Sequence, residues 1–327
     1  MTSALTRADI AALTPELDGI ADPWDAAGLL RLLRLLYRVG RTDLPLGRLF
    51  EGHVDALQIV ARYGTAAQRA AAEEAAHGGG AFGVWNADQP GEPAVFADGQ
   101  LSGAKAFASG AGLLSHALVP VDADGGRQLL LVDLTRTPPD IDRSWWRVSG
   151  MQRSETHLAR WSGAPLEAEA MIGRPGDYTH EPWFSGGAVR FASVQAGGIA
   201  GVVDRTRDHL VAQGRDSDPL QRVRLADLYR AAQGAADAVA NAAAAWNVDR
   251  VDETLAYVAA ARSAVYAAGE TVLTLSQAAV GVQAMFVDHP LNAALTDLAV
   301  YLRQPGPDLQ RDRAGAAVAA GVLTPTL

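Results

Sequence analysis

The sequence predicts an α+β protein built in three successive zones. These are an N-terminal helical domain (residues 1–80), a middle antiparallel β-sandwich or barrel domain (81–183) and a C-terminal four-helix bundle (184–327). Three observations predict it. Apolar residues recur at helical spacing towards both ends of the chain, while short apolar runs broken by turn residues fill the middle. With 327 residues, 49% hydrophobic and 20% charged, the chain can bury more than one core.

In the first zone, Asp22-Pro23 reads as a helix start, with an acceptor at the N-cap and proline in the first turn. Leu29, Leu30, Leu32, Leu33, Leu35 and Leu36 supply a broad buried face, and Gly40 marks the expected stop. A second helix is expected from about Leu46 to Tyr63. A third, "TAAQRAAAEEAAH", starts at a Thr65 cap and ends at Gly78-Gly79-Gly80.

The middle zone alternates short runs such as "AFGVW", "SHALVPV" and "RQLLLVDL" with turns. "ADGQ" and "VDADGGRQ" carry hairpin signals, because Asp-Gly tolerates the left-handed backbone of tight turns. Strands this closely spaced, without helices between them, point to antiparallel pairing.

In the third zone, "GGAVRFASVQAGGIAGVVDRTRDHLVAQG" keeps an apolar stripe, and Ala196, Gly197, Gly198, Ala200 and Gly201 permit close helix contact. The next helix begins at an Asp218 cap followed by Pro219, and "DRVDETLAYVAAARSAVYAAGETVLTLSQAAVG" forms a third. The fourth, "HPLNAALTDLAVYLRQPGPDLQRD", is cut by Pro305 and Pro307 and restarts. Four long antiparallel helices make a bundle.

Charge and composition exclude several classes. A net charge of −9 argues against a general nucleic-acid binder. The absence of cysteine removes disulfides, thiol nucleophiles and thiolate metal sites. The first twenty residues lack a basic start followed by an apolar run, so no signal peptide is expected. No run approaches the ~18 apolar residues of a membrane span. A soluble, cytoplasmic protein without a membrane partner is expected.

His53, His77, His116, His157, His180, His209 and His289 show no paired metal-ligand spacing; they read as surface or capping residues, and no metal site is expected. "FASGAG" matches neither a nucleophile elbow nor a dinucleotide fingerprint. "VDADGG" lacks the acidic residue at the twelfth position of a calcium loop.

Four strings in order resemble the acyl-CoA dehydrogenase family of flavoproteins. They are "GRTDLPLGRLFEGHVDALQIVARYGTAAQR", "LSGAKAFASGAG", "WWRVSGMQRSETHLARWSGAPLEAEAMIGRPGDY" and "RDSDPLQRVRLADLY". The chain looks like a divergent member with a shortened N-terminal domain. The resemblance implies the same three-zone fold and FAD as cofactor. Phe107 would form the wall against the flavin ring, and the Ser109 hydroxyl would contact the ring's reactive nitrogen edge. Residues 83–92 replace a family loop bordering the flavin, so Asn86 and Ala87 would contribute backbone groups there. Arg215 would grip the diphosphate of a flavin held by a neighbouring subunit, with Gln221 assisting; a guanidinium fork suits a diphosphate. A homodimer or homotetramer follows.

Removal of an α-proton from an acyl thioester needs a base within reach of that carbon. The resemblance places two candidate positions for it. Gln304 occupies one, and an amide cannot accept the proton; at the other, Val189 precedes Arg190. Asp308 is the nearest carboxylate and otherwise reads as an N-cap. Trp183 and Phe184 would fill the acyl channel. The sequence therefore leaves three functions open on a small-molecule substrate, with an acyl-CoA thioester the first candidate. One is an FAD-dependent oxidoreductase acting on CH–CH groups, its α,β-dehydrogenation altered or lost. The second is a flavin-dependent monooxygenase, which needs no such base. The third is a non-catalytic homologue acting in assembly or ligand binding.

Overall fold

A computed structural model describes residues 3–20, 22–123, 126–304 and 306–326. The chain opens with helices α1 (Arg7–Ala11), α2 (Ala26–Thr42), α3 (Leu44–Tyr63) and α4 (Ala66–His77). The first long helix starts later than Asp22-Pro23 suggested. Asp25 is its N-cap, accepting from the Gly28 amide at 2.6 Å, and Asp22 is drawn away into an ion pair with Arg62. Gly40 does not stop that helix either. It lies inside α2 because a Cβ there would sit 2.3 Å from the Val194 carbonyl oxygen. The actual stop is Asp43, whose carboxylate accepts from the Leu46 amide at 3.0 Å and so starts α3. Helix α4 begins at Thr65 with a reciprocal capping box to Gln68, as its sequence predicts.

Among the described residues, eight strands form one sheet: β1 (Phe82–Val84), β2 (Val95–Ala97), β3 (Gln100–Ala108), β4 (His116–Ala123), β5 (Gly126–Asp133), β6 (Asp140–Asp142), β7 (His157–Pro165) and β8 (Met171–Ile172). Their order is β6-β7-β3-β2-β4-β5-β8, with β1 on β4. Pairing is antiparallel except that β1 and β2 run parallel to β4. Asp98 and Gly99 turn the β2–β3 hairpin with φ of +52° and +72°, the left-handed pair that a two-residue hairpin requires. Strands β4 and β5 pair up to Ala123 and Gly126; the expected turn residues Asp124 and Gly125 lie outside the described residues.

One face of α3 closes this sheet: Ala56, Ile59 and Val60 pack with Phe82, Leu118, Leu129 and Ile172. His53 belongs to the same seam and corrects the expectation of surface or capping histidines. It is 0% exposed; its Nδ1 accepts from the Phe82 amide at 3.1 Å, and Nε2 lies 3.3 Å from the Thr14 hydroxyl. Burial of polar backbone groups at the start of β1 demands such a partner. His289 does cap a helix, accepting from Leu291 at 3.2 Å.

The C-terminal half contains α5 (Trp183–Gly186), α6 (Ala188–Ala212), α7 (Pro219–Ala244), α8 (Val251–Val280), α9 (Pro290–Tyr301) and α10 (Pro307–Ala319). The small-residue stripe of α6 works as its sequence suggests, because a Cβ on Gly197 would lie 2.1 Å from the Tyr37 carbonyl oxygen. Helix α2 thus beds directly on α6, tying the first zone to the third. Asp218 caps α7 through the Leu220 amide at 2.8 Å. Met151, between β6 and β7, donates its amide to Asp297 of α9 and docks the sheet on the bundle. The predicted interruption stands between α9 and α10, with Pro305 outside the described residues. Gly306 at φ +42° is the N-cap of α10, so Asp308 lies inside the first turn and does not cap it. No helix among the described residues is long and apolar enough to cross a membrane. No cluster of histidine and carboxylate side chains that could hold a metal occurs among them.

Candidate active site

A cavity of about 570 Å³ opens where α3, the rim of the sheet, α5–α6 and the α9–α10 junction meet. Arg48, Glu51, Asp55 and Arg62 line it from α3. Spacings of three, four and seven residues put these side chains on one helix face, next to the face that covers the sheet, and Ile59 belongs to both.

The sheet side is built around Phe107. It has φ +54°, a conformation costly for a non-glycine residue. The β3–β7 register shifts between Lys105 and Ala108, so Phe107 stands in an irregularity that redirects its side chain. Its ring is 46% exposed and meets Trp145 edge-on at 4.8 Å. Beside it, Asn86 and Ala87 form the lip. That loop is pinned to β3: the Ala106 amide donates to the Ala87 carbonyl and the Gln89 amide to the Ala104 carbonyl, both at 2.9 Å. Beneath it, buried Lys105 donates to the Asp88 carboxylate and the Pro120 carbonyl. Desolvation pulls the Lys105 pKa down, and Asp88 opposes that pull.

Trp183 and Phe184 line the cavity as walls and leave it open. The Arg62 guanidinium lies 3.7 Å from the Trp183 ring centroid; Trp24 meets the same indole edge-on at 5.1 Å and Trp246 at a tilt at 5.7 Å. Arg48 lies 5.0 Å from the Phe191 ring centroid. At the α9–α10 junction, the buried Gln195 side chain donates to the carbonyls of Tyr301 and Gln304 at 2.9 and 3.2 Å, holding the chain at the cavity edge.

The lining carries six arginines (48, 62, 190, 262, 303 and 313) against two carboxylates, in a protein of net charge −9. The two acids differ. Asp55 is ion-paired with Arg190. Glu51 is 1% exposed; its Oε2 accepts from Arg48 at 2.9 Å, while its Oε1 has no hydrogen-bond partner among the described residues. The Arg190 Nε lies 4.0 Å from Oε1. Burial pushes the Glu51 carboxyl up to about 7, against the pull of Arg48 and with the push of Asp55.

Of the residues singled out in the sequence, the cavity brings together Asn86, Ala87, Phe107, Trp183, Phe184, Arg190 and Gln304. Ser109 is not among them. Its hydroxyl accepts from Thr156 at 3.1 Å, and it borders two narrow clefts that share Arg48 with the main cavity. Arg215 and Gln221 meet each other away from the cavity, at the α6–α7 turn. With its amide oxygen turned towards the guanidinium groups, Gln221 accepts from Arg215 at 2.5 Å and from Arg224 at 3.1 Å. Asp308 faces water: its side chain is 93% exposed, 3.5 Å from Arg311, and outside the lining. Val189 is fully buried.

Sequence reasoning missed the α3 face, and Glu51 above all. The available signal was "RLFEGHVD", in which Arg48, Glu51 and Asp55 interrupt an apolar stripe at helical spacing.

No family model and no curated protein sequence matches the chain. Solved structures do. The dibenzothiophene monooxygenase TdsC of Paenibacillus sp. A11-2 superposes with a TM-score of 0.78 at 16% identity, covering 90% of this chain and 84% of that one; a structure of TdsC with FMN bound is similar too. Butyryl-CoA dehydrogenase of Megasphaera elsdenii gives 0.72 at 15% identity, covering 98% and 100%. A variant of the Tcur3481-Tcur3483 steroid acyl-CoA dehydrogenase gives 0.74 at 22%, covering 95% and 89%. The chain has the acyl-CoA dehydrogenase fold.

Proposed function

We propose that this protein is a flavin-dependent oxidoreductase of the acyl-CoA dehydrogenase type, with the flavin ring in the 570 Å³ cavity and a small acyl thioester as substrate. The observation that carries this reading is Phe107, a half-exposed aromatic held at an unfavourable φ where it faces that cavity. The residues present fit a flat ring system. The volume falls in the range of about 300–1,000 Å³ found for small-molecule sites. Phe107 offers an apolar wall, and Asn86 and Ala87 offer backbone groups at the lip. Ser109 borders separate narrow clefts and does not line this cavity. A bound flavin supplies a two-electron acceptor, and the chain itself supplies orientation, exclusion of water and proton handling.

FAD is the proposed form. Arg215 and Gln221 sit together outside their own cavity, a placement that suits the diphosphate of a dinucleotide held by a second copy. Leu220, Val223 and Tyr229 on α7, and Val282, Phe286 and Val287 after α8, are exposed apolar residues. That surface, beside the Arg215 turn, suits a homodimer or a homotetramer. We place the protein in the cytoplasm, consistent with a chain free of cysteine.

Gln304 in the lining favours one second reading, a flavin-dependent monooxygenase, which takes no α-proton. Spectroscopy separates the two. Purified protein should show flavin absorption, and anaerobic addition of acyl-CoA should bleach it. Persistent colour with acyl-CoA, but oxygen uptake with reduced flavin and an aromatic substrate, selects the monooxygenase. Colourless protein that leaves the spectrum of added FAD unchanged overturns both.

A further inference from the structure

We propose that Glu51 of α3 is the proton acceptor of this site, taking the α-proton of an acyl thioester bound in the cavity. The proposal rests on the oxidoreductase reading but concerns a residue outside both positions at which the family resemblance places a base. Four observations support it. Glu51 lines the cavity. Its carboxylate is anchored through one oxygen, Oε2, by Arg48 at 2.9 Å. The other oxygen is buried without a hydrogen-bond partner among the described residues. Finally, Gln304, the residue at the expected base position, lines the same cavity and has no proton-accepting carboxylate. Asp55 is a poorer candidate because Arg190 already engages it.

In the step itself, the α-carbon–hydrogen bond breaks and an O–H bond forms at Oε1. The electron pair remains on the α-carbon, delocalised into the thioester carbonyl. Return of a solvent-exchanged proton from Glu51 restores the substrate with no net oxidation, so deuterium exchange needs no oxidant. A bound oxidised flavin would supply the two-electron acceptor for net oxidation. The groups that bear on Glu51 are Arg48 and Asp55 of α3, Arg190 of α6, Arg262 of α8 and Tyr301 of α9. Burial holds the carboxyl near neutrality, where a base and its conjugate acid both form readily.

The test follows deuterium incorporation at the α-carbon of butyryl-, octanoyl- and phenylacetyl-CoA in D₂O by mass spectrometry. It uses the protein as purified, with its flavin spectrum recorded in parallel. Wild type should exchange at least one of these well above buffer, with a rate rising through about pH 7. Glu51→Gln, which keeps an acceptor for Arg48, should fold normally by circular dichroism yet lose about 10²–10⁴-fold in exchange, along with that pH limb. Glu51→Asp should retain part of the rate, and adding Gln304→Glu to the Glu51→Gln chain should restore part of it. Wild-type exchange no faster than buffer with all three thioesters, or a Glu51→Gln rate within about threefold of wild type, overturns the proposal. Colourless protein that leaves the spectrum of added FAD unchanged yet exchanges α-protons through Glu51 upholds the base and sinks the oxidoreductase reading. Yellow protein whose exchange ignores Glu51 does the reverse.

Discussion

Two regions border the same cavity and handle charge in opposite ways. The α3 face sets Arg48, Glu51, Asp55 and Arg62 in partly or fully buried ion pairs. The α9–α10 junction offers Gln304, Gln310 and exposed arginines, and Asp308 beside it points to water. A carboxylate in water stays ionised at ordinary pH and is a weak base; one held out of water is a stronger base and costs stability to keep. The difference teaches that burial and partnering, more than position along the chain, decide which acid can do chemistry here.

The largest expected effect comes from breaking one pair in each region. Arg48→Ala leaves Glu51 buried without its anchor and should cost about 3–5 kcal/mol in chemical denaturation. Arg303→Ala removes an exposed pair with Glu270 and should cost under about 1 kcal/mol. Equal losses would show that the α3 network is solvated like the junction.

The pH dependence sharpens the same contrast. Glu51 titrates near 7 in the fold against 4.5 when unperturbed, so the folded state holds the extra proton between those values. Its contribution to stability therefore falls as pH rises from about 4.5 to 7. His53 acts oppositely. Burial lowers it to about 4 from 6.5, and its contribution is lost as pH falls through that window. The two slopes offset each other in wild type. Glu51→Gln should unmask the His53 slope, making the variant gain on wild type by up to about 1.4 kcal/mol per pH unit between 4.5 and 7. Denaturation curves across this range would read it, and parallel curves for the two proteins would refute it.

Phe107→Ala should weaken flavin binding by about 1.5–3 kcal/mol, roughly 10- to 100-fold in Kd. Its effect on folding should be small, since the ring is half exposed; fluorescence titration and thermal melts would separate the two. At the small end, Asp308→Ala should change stability by less than about 0.5 kcal/mol.

Much of the fold was legible because its signals are local. Thr65 and Asp218 cap their helices, Asp98-Gly99 turns its hairpin, and the small residues of α6 admit a neighbouring backbone. Local signals misled where tertiary contacts chose among them. Asp22 and Asp25 are equally good caps by type, and the pair with Arg62 removes Asp22. Gly40 looks like a stop but answers to Val194, 154 residues away in the chain. At the site, family resemblance led to Asn86, Phe107 and Gln304, which share a cavity. It could not show that Ser109 would border separate clefts and stay out of that lining, since that depends on how α3 lies against β3. Glu51 was invisible for a related reason: an acid on a helix reads as solvated until its surroundings are known.

The most direct test sets the two regions side by side, measuring acyl-CoA α-deuterium exchange in wild type, Glu51→Gln and Asp308→Asn under identical conditions. The account predicts loss of exchange in Glu51→Gln alone, with Asp308→Asn matching wild type. Loss in Asp308→Asn with exchange intact in Glu51→Gln would contradict it.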